Sequence, residues 1–171
     1  MKSRFFFLAF AFIALPVVCM AQPRHSKGLG MLGVEYGINS QSYCFGIGYQ
    51  RYFSDKVSVK GRMEYSRTDF PISDYSSYVL VPEFYYTLLS NYRNIYFNGK
   101  AGASLGYETL ENEVFSGKSR LFYGESIGLS LEMFLRYNIK TEISLEQRFL
   151  QRSLISKHNP RMSIGIYFLL N

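Results

Sequence analysis

Hydrophobic and polar residues alternate with a period of two along most of this chain. The carboxy-terminal stretch 160–171 shows it most clearly, because one set of alternate residues is wholly apolar and the other is mixed. The apolar set is Met162, Ile164, Ile166, Phe168 and Leu170, and the mixed set is Arg161, Ser163, Gly165, Tyr167 and Leu169. A strict period of two predicts a β-strand whose two faces lie in different surroundings.

The same pattern predicts seven further strands upstream. The eight predicted strands cover residues 29–39, 42–53, 57–67, 77–89, 95–109, 120–135, 139–150 and 160–171. Tight polar turns at 54–56, 91–94 and 137–138 alternate with longer or more polar connections, which are the loops 69–76, 111–119 and 151–159 and, marginally, the first connection. Such alternation is typical of outer-membrane barrels, which have short periplasmic turns and longer extracellular loops. Pro82 cannot donate a ladder hydrogen bond, so it predicts a bulge or local irregularity in the fourth strand.

Charged residues recur on the mixed face of the predicted strands. The acids are Glu35, Glu64, Glu83, Glu108, Glu132, Glu142 and Glu146, and the bases are Lys60, Arg62, Lys100, Lys140, Arg148 and Arg161. An eight-stranded barrel has an interior that side chains just fill, and charges buried there must pair. The near-balance of seven acids and six bases therefore predicts that this face lines the lumen of a barrel.

These patterns predict an all-β fold, an eight-stranded antiparallel up-and-down outer-membrane β-barrel with a filled polar lumen. Its apolar face would contact lipid, as in other membrane barrels. The alternative is a soluble lipocalin-like barrel, which would reverse the pattern with an apolar interior and a polar exterior. A charged outer face around an unmixed apolar lining would require a very large cavity, so we favour the membrane barrel.

The first 21 residues are predicted to be a secretory signal peptide. Lys2 and Arg4 precede an apolar run, 5–20, and the small residue Ala21 follows it. A membrane-anchored helix is the alternative, but the run is short for a bilayer span. Cleavage after Ala21 would remove Cys19, which could otherwise be lipidated, and would leave residues 22–171 as a single barrel domain. Within it, 22–28 is predicted to be a short polar leader.

Composition narrows the possible classes of function. Removal of the two cations in the signal peptide lowers the formal net charge from +6 to +4, too mild to indicate nucleic-acid binding. The chain has 15 Tyr and 15 Phe but no Trp, more rings than a small soluble core needs. Aromatic belts at the lipid–water boundary would account for them. No apolar run after the signal peptide is long enough for a membrane helix.

Candidate catalytic chemistry is sparse. His25 in the leader and His158 in the last loop show no metal-ligand spacing, and both are predicted to be exposed. Ser153 and Ser156 lie near His158 in sequence, but this does not define a nucleophile, base and orienting group. Cys44 is predicted to be a small packed residue on the inward face. We therefore predict no catalytic, cofactor-binding or metal-binding residues and no enzymatic activity.

Three segments carry a family resemblance. They are the run 91–108, which reads NYRNIYFNGKAGASLGYE, the start of the mature chain with Lys27-Gly28-Leu29, and the carboxy-terminal Pro160-Arg161 followed by Gly165-Ile166 and Phe168. In these segments the chain resembles the conjugative transposon protein TraO family of Bacteroidetes. The resemblance implies an accessory outer-membrane component of DNA transfer between cells, and it supplies no catalytic residues.

The expected partners are outer-membrane lipid and other conjugative transfer proteins, with no direct contact to nucleic acid and no cofactor. The loops 69–76, 111–119 and 151–159 are the predicted protein-contact surfaces. Two alternatives stay open from the sequence. One is a general small surface or adhesion barrel, and the other is a lipid-modifying outer-membrane enzyme, which would need a Ser–His arrangement.

Overall fold

A computed structural model describes residues 25–39, 42–70, 73–91, 93–112, 118–154 and 156–170, and the predicted signal peptide lies outside these ranges. The described residues form eight strands. They are β1 (Gly30–Asn39), β2 (Tyr43–Tyr52), β3 (Val57–Phe70), β4 (Ser73–Ser90), β5 (Ile95–Asn112), β6 (Lys118–Arg136), β7 (Ile139–Gln151) and β8 (His158–Leu170). Within the described ranges no helix is long and apolar enough to cross a bilayer.

The strands close into a barrel in which each pairs antiparallel with its chain neighbours and β1 pairs with β8. Closure satisfies the backbone groups of every strand, which hydrocarbon surroundings require. The register gives the stagger of the barrel. Starting at Gly30 and moving from each residue to its paired residue on the next strand, from β2 to β8, one arrives at Pro160. On the other side, Gly30 pairs directly with Leu170 of β8. The offset, 170 − 160, is a shear of ten residues, so the strands are tilted relative to the barrel axis.

The predicted sidedness of the strands is confirmed. The apolar set of β8 is exposed, and the alternate residues Arg161, Ser163 and Tyr167 are buried in the lumen. All thirteen acids and bases assigned to the lumen from the sequence are buried. Cys44 is buried as predicted, with its Sγ 3.3 Å from Nε of Arg161.

The lumen has three layers along the barrel axis. At the end with the tight turns, here called the turn end, a mainly aromatic cluster contains Met31, Tyr52, Tyr96, Phe134 and Tyr167. At the opposite end, the loop end, the cluster is Val79, Val81, Phe122 and Leu150. The buried charged residues other than Glu108 form the layer between the two clusters, and Glu108 lies on the loop side of Val79 and Phe122.

The loop boundaries predicted from the sequence are wrong. Residues 69–70 belong to β3, 73–76 to β4, 111–112 to β5, 118–119 to β6, 151 to β7, and 158–159 to β8. The predicted loops 69–76, 111–119 and 151–159 are therefore shorter, and residues 71–72, 113–117 and 155 lie outside the described ranges. Most residues of these segments are polar in the sequence, so the alternation of apolar and polar residues no longer marks a strand, although backbone pairing continues.

Strand β4 contains the predicted irregularity at Pro82 and a bulge elsewhere. Pro82 pairs with Gly61 of β3, but the ladder with β5 is interrupted between Leu80 and Glu83, without a change of register. The register shift lies between Thr87 and Leu89. Leu88 is thus the extra residue of a β-bulge, and both leucines point outward.

Candidate functional site: the ion-filled lumen

The centre of the lumen is organised around Lys60 of β3. Its Nζ lies 2.7 Å from Glu35 of β1 and 2.9 Å from Glu142 of β7, so it reaches across the lumen to two carboxylates that flank β8. A third carboxylate, Glu83 of β4, lies 3.8 Å away. Lys60 is fully buried, which makes this set of partners necessary, because an unpaired charge without water is very unfavourable.

Arg62 bridges carboxylates in the same way, at a level nearer the loop end. Its guanidinium contacts Glu35 at 3.1 Å, Glu64 at 2.8 Å and Glu146 at 3.0 Å. The planar group has five N–H donors in a fixed arrangement, which suits contact with several carboxylates at once. Arg148 continues the chain of ion pairs, with 2.7 Å between its Nη1 and Glu64 and a close contact from its Nε to Glu146.

The three remaining bases complete the network. Lys100 pairs with Glu83 at 3.0 Å and Glu146 at 2.7 Å, and Lys140 pairs with Glu132 and Glu142, each at 3.1 Å. Arg161 of β8 contacts Glu35 at 3.1 Å and Glu64 at 2.8 Å. Six acids and six bases are thus joined in one continuous set of ion pairs.

Tyrosine hydroxyls donate to the same carboxylates. Tyr85 donates to Glu142 at 3.0 Å, Tyr52 donates to Glu132 at 2.9 Å, and Tyr167 donates to Glu35. The Nζ of Lys140 also lies 4.4 Å from the ring centre of Tyr167, within cation–π range. These tyrosines occupy the lumen-facing alternate positions of their strands. They supply hydrogen-bond donors that a count of charged residues does not include.

Glu108 is the seventh acid and has no cationic partner among the described residues. Its carboxylate accepts hydrogen bonds from the Tyr75 hydroxyl at 3.2 Å, the Ser153 hydroxyl at 3.2 Å and the backbone N–H of Leu154. Since Ser153 and Leu154 follow β7, Glu108 ties the β7–β8 connection to β4 and β5.

The arrangement leaves little room for chemistry. Each carboxylate in the network is already engaged by several donors, and the charged layer separates the two ends of the barrel. A polar cavity of about 20 Å³ lies at the loop end, lined by Ser66, Tyr75 and Arg148 among others, and has room for about one water molecule. In the described ranges no group of three or more His, Cys, Asp or Glu side chains could hold a metal ion.

The structure does not bring the candidate Ser–His pairs into catalytic contact. The Ser156 hydroxyl donates to the backbone oxygen of His158 at 2.7 Å, and the ring of His158 packs edge-on against Phe149. Ser153 instead binds Glu108. His158 is exposed, as predicted.

The prediction that His25 is exposed is wrong. Its ring is buried inside the turn end, stacked on Tyr96 with a centroid distance of 3.6 Å and 2.8 Å from Glu132. The leader residues that follow it extend the pairing of β1 with β2, with the Gly28 N–H donating to the Tyr52 oxygen at 2.8 Å. A short polar segment before a strand gives no periodic signal, so the sequence pattern could not place this ring.

Exposed aromatic rings lie at a similar level around the exterior, towards the loop end. Each of β2 to β7 carries an exposed aromatic ring towards its loop end, namely Tyr43, Tyr65, Tyr78, Tyr107, Tyr123 and Phe149. In β3, β4, β5 and β6 five strand residues continue beyond this ring towards the loop end, whereas β2 begins at it. We call these residues, 66–70, 73–77, 108–112 and 118–122, the loop-end wall. An exposed Arg67–Asp74 ion pair at 3.8 Å lies in the wall.

A closed barrel of eight tilted antiparallel strands, apolar and aromatic outside and charged inside, is the fold of the small outer-membrane barrels. Structural comparison agrees. The barrel is similar to Ail, the attachment invasion locus protein of Yersinia pestis (TM-score 0.61, 15% identity, 84% of this chain and 99% of that chain). It is also similar to the N-terminal β-barrel domain of Pseudomonas aeruginosa OprF (TM-score 0.62, 13% identity, 88% of this chain and 100% of that chain). Neisserial surface protein A is similar as well (TM-score 0.62, 10% identity, 82% of this chain and 95% of that chain).

A comparison with curated protein sequences finds no match. The family model described as conjugative transposon protein TraO matches residues 26–170, which include all eight strands. The chain therefore belongs to the TraO family of conjugative transposon proteins, and the resemblance seen in the sequence is confirmed.

Proposed function

We propose that this protein is a non-enzymatic outer-membrane component of a conjugative DNA transfer apparatus. The observation that carries the proposal is the match of the TraO family model across residues 26–170. The fold supports the outer-membrane location, since the apolar exterior suits lipid and the amino-terminal sequence has the features of an export signal.

The filled lumen supports a scaffolding role over that of a conduit. Twelve paired charges and two apolar clusters occupy the interior, so DNA passes elsewhere and the barrel contributes its outer surfaces. The loop-end wall and the β7–β8 connection are the contact surfaces for other transfer proteins. They contain the polar segments singled out in the sequence and extend beyond the aromatic rings.

A mating assay tests the role in transfer. Deletion of the gene in the donor strain should lower the transfer frequency strongly, and expression of the intact chain in trans should restore it. Fractionation of a tagged protein should recover it with the outer membrane. Normal transfer without the gene would remove the proposed role and favour a general surface barrel, and recovery from the soluble periplasm would remove the proposed location.

Charge reversal distinguishes the proposed contact surface from the rest of the barrel. Lys118→Glu with Arg120→Glu places two negative charges on exposed positions of the loop-end wall. This variant should reach the outer membrane and reduce transfer at least about tenfold, because like charges across an interface suppress association. The matched control Lys56→Glu changes an exposed position in the β2–β3 turn. Loss of transfer in the control alone would move the contact surface to the turn end.

A further inference from the structure

The ring of His25 occupies a compact aromatic cage at the turn end. It stacks parallel to Tyr96, with 3.6 Å between ring centroids and 9° between planes, and lies 4.5 Å from the ring of Tyr52. Phe134 closes a third side edge-on at 5.9 Å. The carboxylate of Glu132 forms the inner wall, with 2.8 Å between its Oε2 and Nε2 of His25.

The hydrogen-bond partners of both ring nitrogens are oxygen acceptors. Nε2 faces the carboxylate of Glu132, and Nδ1 lies 3.0 Å from the backbone carbonyl oxygen of Asp55. A carbonyl and a carboxylate only accept hydrogen bonds, so both ring nitrogens must donate. The hydroxyl of Thr87, 3.3 Å from Nδ1, gives its own proton to Asn98 and is also an acceptor towards the ring.

The other contacts of Glu132 are those of an ionised carboxylate. Its Oε1 accepts from Nε2 of Gln50 at 2.9 Å and lies 3.1 Å from Nζ of Lys140, while its Oε2 accepts from the Tyr52 hydroxyl at 2.9 Å. A carboxylate that accepts from three other donors has no proton of its own to offer His25. The other titratable groups of the described residues that line the adjoining pocket are Tyr86, Tyr96 and the exposed side chains of Asp55 and Lys56.

The charge balance of the lumen also favours a doubly protonated His25 ring. Among the described residues, seven glutamates and six lysines and arginines are buried. A doubly protonated His25 is the seventh buried cation, so the buried charges then sum to zero. Low-polarity interiors strongly favour such balance.

We propose that the cage of Tyr52, Tyr96, Phe134 and Glu132 is a binding site for a planar cation, occupied by the imidazolium of His25. The occupied site latches the amino-terminal segment across the turn end. Gly28, with φ of 90°, turns the chain from the cage into β1, and the Tyr52 N–H donates to the oxygen of Leu29 at 2.9 Å. Cation–π contact with Tyr96 and the ion pair with Glu132 together make the site selective for a flat cation with two N–H groups.

The protonation state is measurable in the unaltered protein. With ¹⁵N-labelled histidine and the barrel in detergent micelles at neutral pH, the two ring nitrogens of His25 should both show the shifts of protonated, donating nitrogens. The exposed His158 serves as an internal reference, since His25 and His158 are the only histidines of the chain. A neutral His25 ring, with one unprotonated nitrogen, would overturn the proposal.

Chemical rescue tests the site itself. His25→Ala should lower the thermal stability of the barrel, and added imidazole should restore it by occupying the vacant cage. 1-Methylimidazole offers one N–H group in its protonated form, so it should bind about tenfold more weakly, the value of one charge-assisted hydrogen bond. Imidazole should leave His158→Ala unchanged and should lose its effect in His25→Ala/Glu132→Gln.

Two outcomes of the rescue experiment would count against a cation site. They are equal binding of imidazole and 1-methylimidazole, and rescue that persists in the Glu132→Gln background. Either would show that the cage accepts rings by shape and apolar contact alone.

Discussion

Single residues of the lumen act by bridging several charges, and Lys60 is the clearest case. Its ammonium group holds Glu35 and Glu142 at hydrogen-bond distance and is fully buried. Removing one member of such a group leaves uncompensated charges where water cannot reach them. Exposed ion pairs are different, because solvent already stabilises both partners.

Replacing Lys60 by methionine should therefore destabilise the barrel by about 3–5 kcal/mol, the usual cost of breaking a buried ion pair. The matched variant is Arg67→Met, which removes the exposed pair with Asp74 and should cost less than about 1 kcal/mol. Urea unfolding followed by far-UV circular dichroism in lipid vesicles measures both. Equal losses in the two variants would contradict a network of buried, mutually dependent charges.

Glycines on the lumen face make room for bulky neighbours. A Cβ on Gly33 would lie 2.5 Å from the ring of Tyr167 and closer still to the carbonyl oxygen of Ile166. Gly33→Ala should therefore cost about 1–3 kcal/mol, the usual range for overpacking. At Gly61, on the outer face, a Cβ would meet nothing within 4 Å, so Gly61→Ala should change stability by less than about 0.5 kcal/mol. The same unfolding measurement compares the stability of the two variants. A Gly33→Ala variant as stable as the unaltered protein would show that Tyr167 can move aside.

In the proposed membrane location the strands pass from lipid to water along their own length, and β6 presents leucines at both levels. Leu129 and Leu121 are both outward and exposed, but Leu121 lies in the loop-end wall, beyond Tyr123. The same side-chain chemistry is thus presented at two depths of one strand.

The loss of stability on replacing each leucine by arginine should measure the depth of its position. Leu129→Arg should cost about 2–4 kcal/mol, and Leu121→Arg only about 0–1 kcal/mol, as expected near the midplane and near the boundary of a bilayer. Unfolding in vesicles measures the difference. A spin label at Leu129 or Ile164 should likewise report acyl chains, and similar costs at the two positions would place the membrane boundary elsewhere.

The period of two made most of each strand predictable, and it assigned the thirteen lumen charges to the correct face. It could not assign partners, because Lys60 and Glu142 meet across the lumen from distant segments of the chain. It also placed the loop-end boundaries of β3 to β8 short of their observed positions, because the alternation of apolar and polar residues fades there. His25 was misplaced because it precedes the first alternating segment, and only the cage that receives it shows why it is buried.

The described residues form a closed barrel whose lumen is filled by side chains. The ion network joins β1, β3, β4, β5, β6, β7 and β8 across the lumen, and aromatic side chains with His25 close the turn end. Such an interior should be rigid and impermeable, in contrast to the water-filled lumen of larger barrels.

In planar lipid bilayers the protein should therefore give no stable conductance steps, and in vesicles it should not admit small sugars in swelling assays. A porin reconstituted in parallel provides the positive control. Reproducible channels in the unaltered protein would contradict the filled lumen and would reopen a conduit role.

The position of Cys44 offers a way to follow assembly in time. Its sulfur lies near the seam where the first and last strands meet, beside Gly37 of β1 and Arg161 of β8. It is the sole thiol after the predicted signal peptide, so no disulfide can form within the mature chain. A maleimide reagent should modify Cys44 readily before β1 pairs with β8 and only slowly after the barrel has closed. The decrease in labelling with time would therefore measure the rate of barrel closure during insertion.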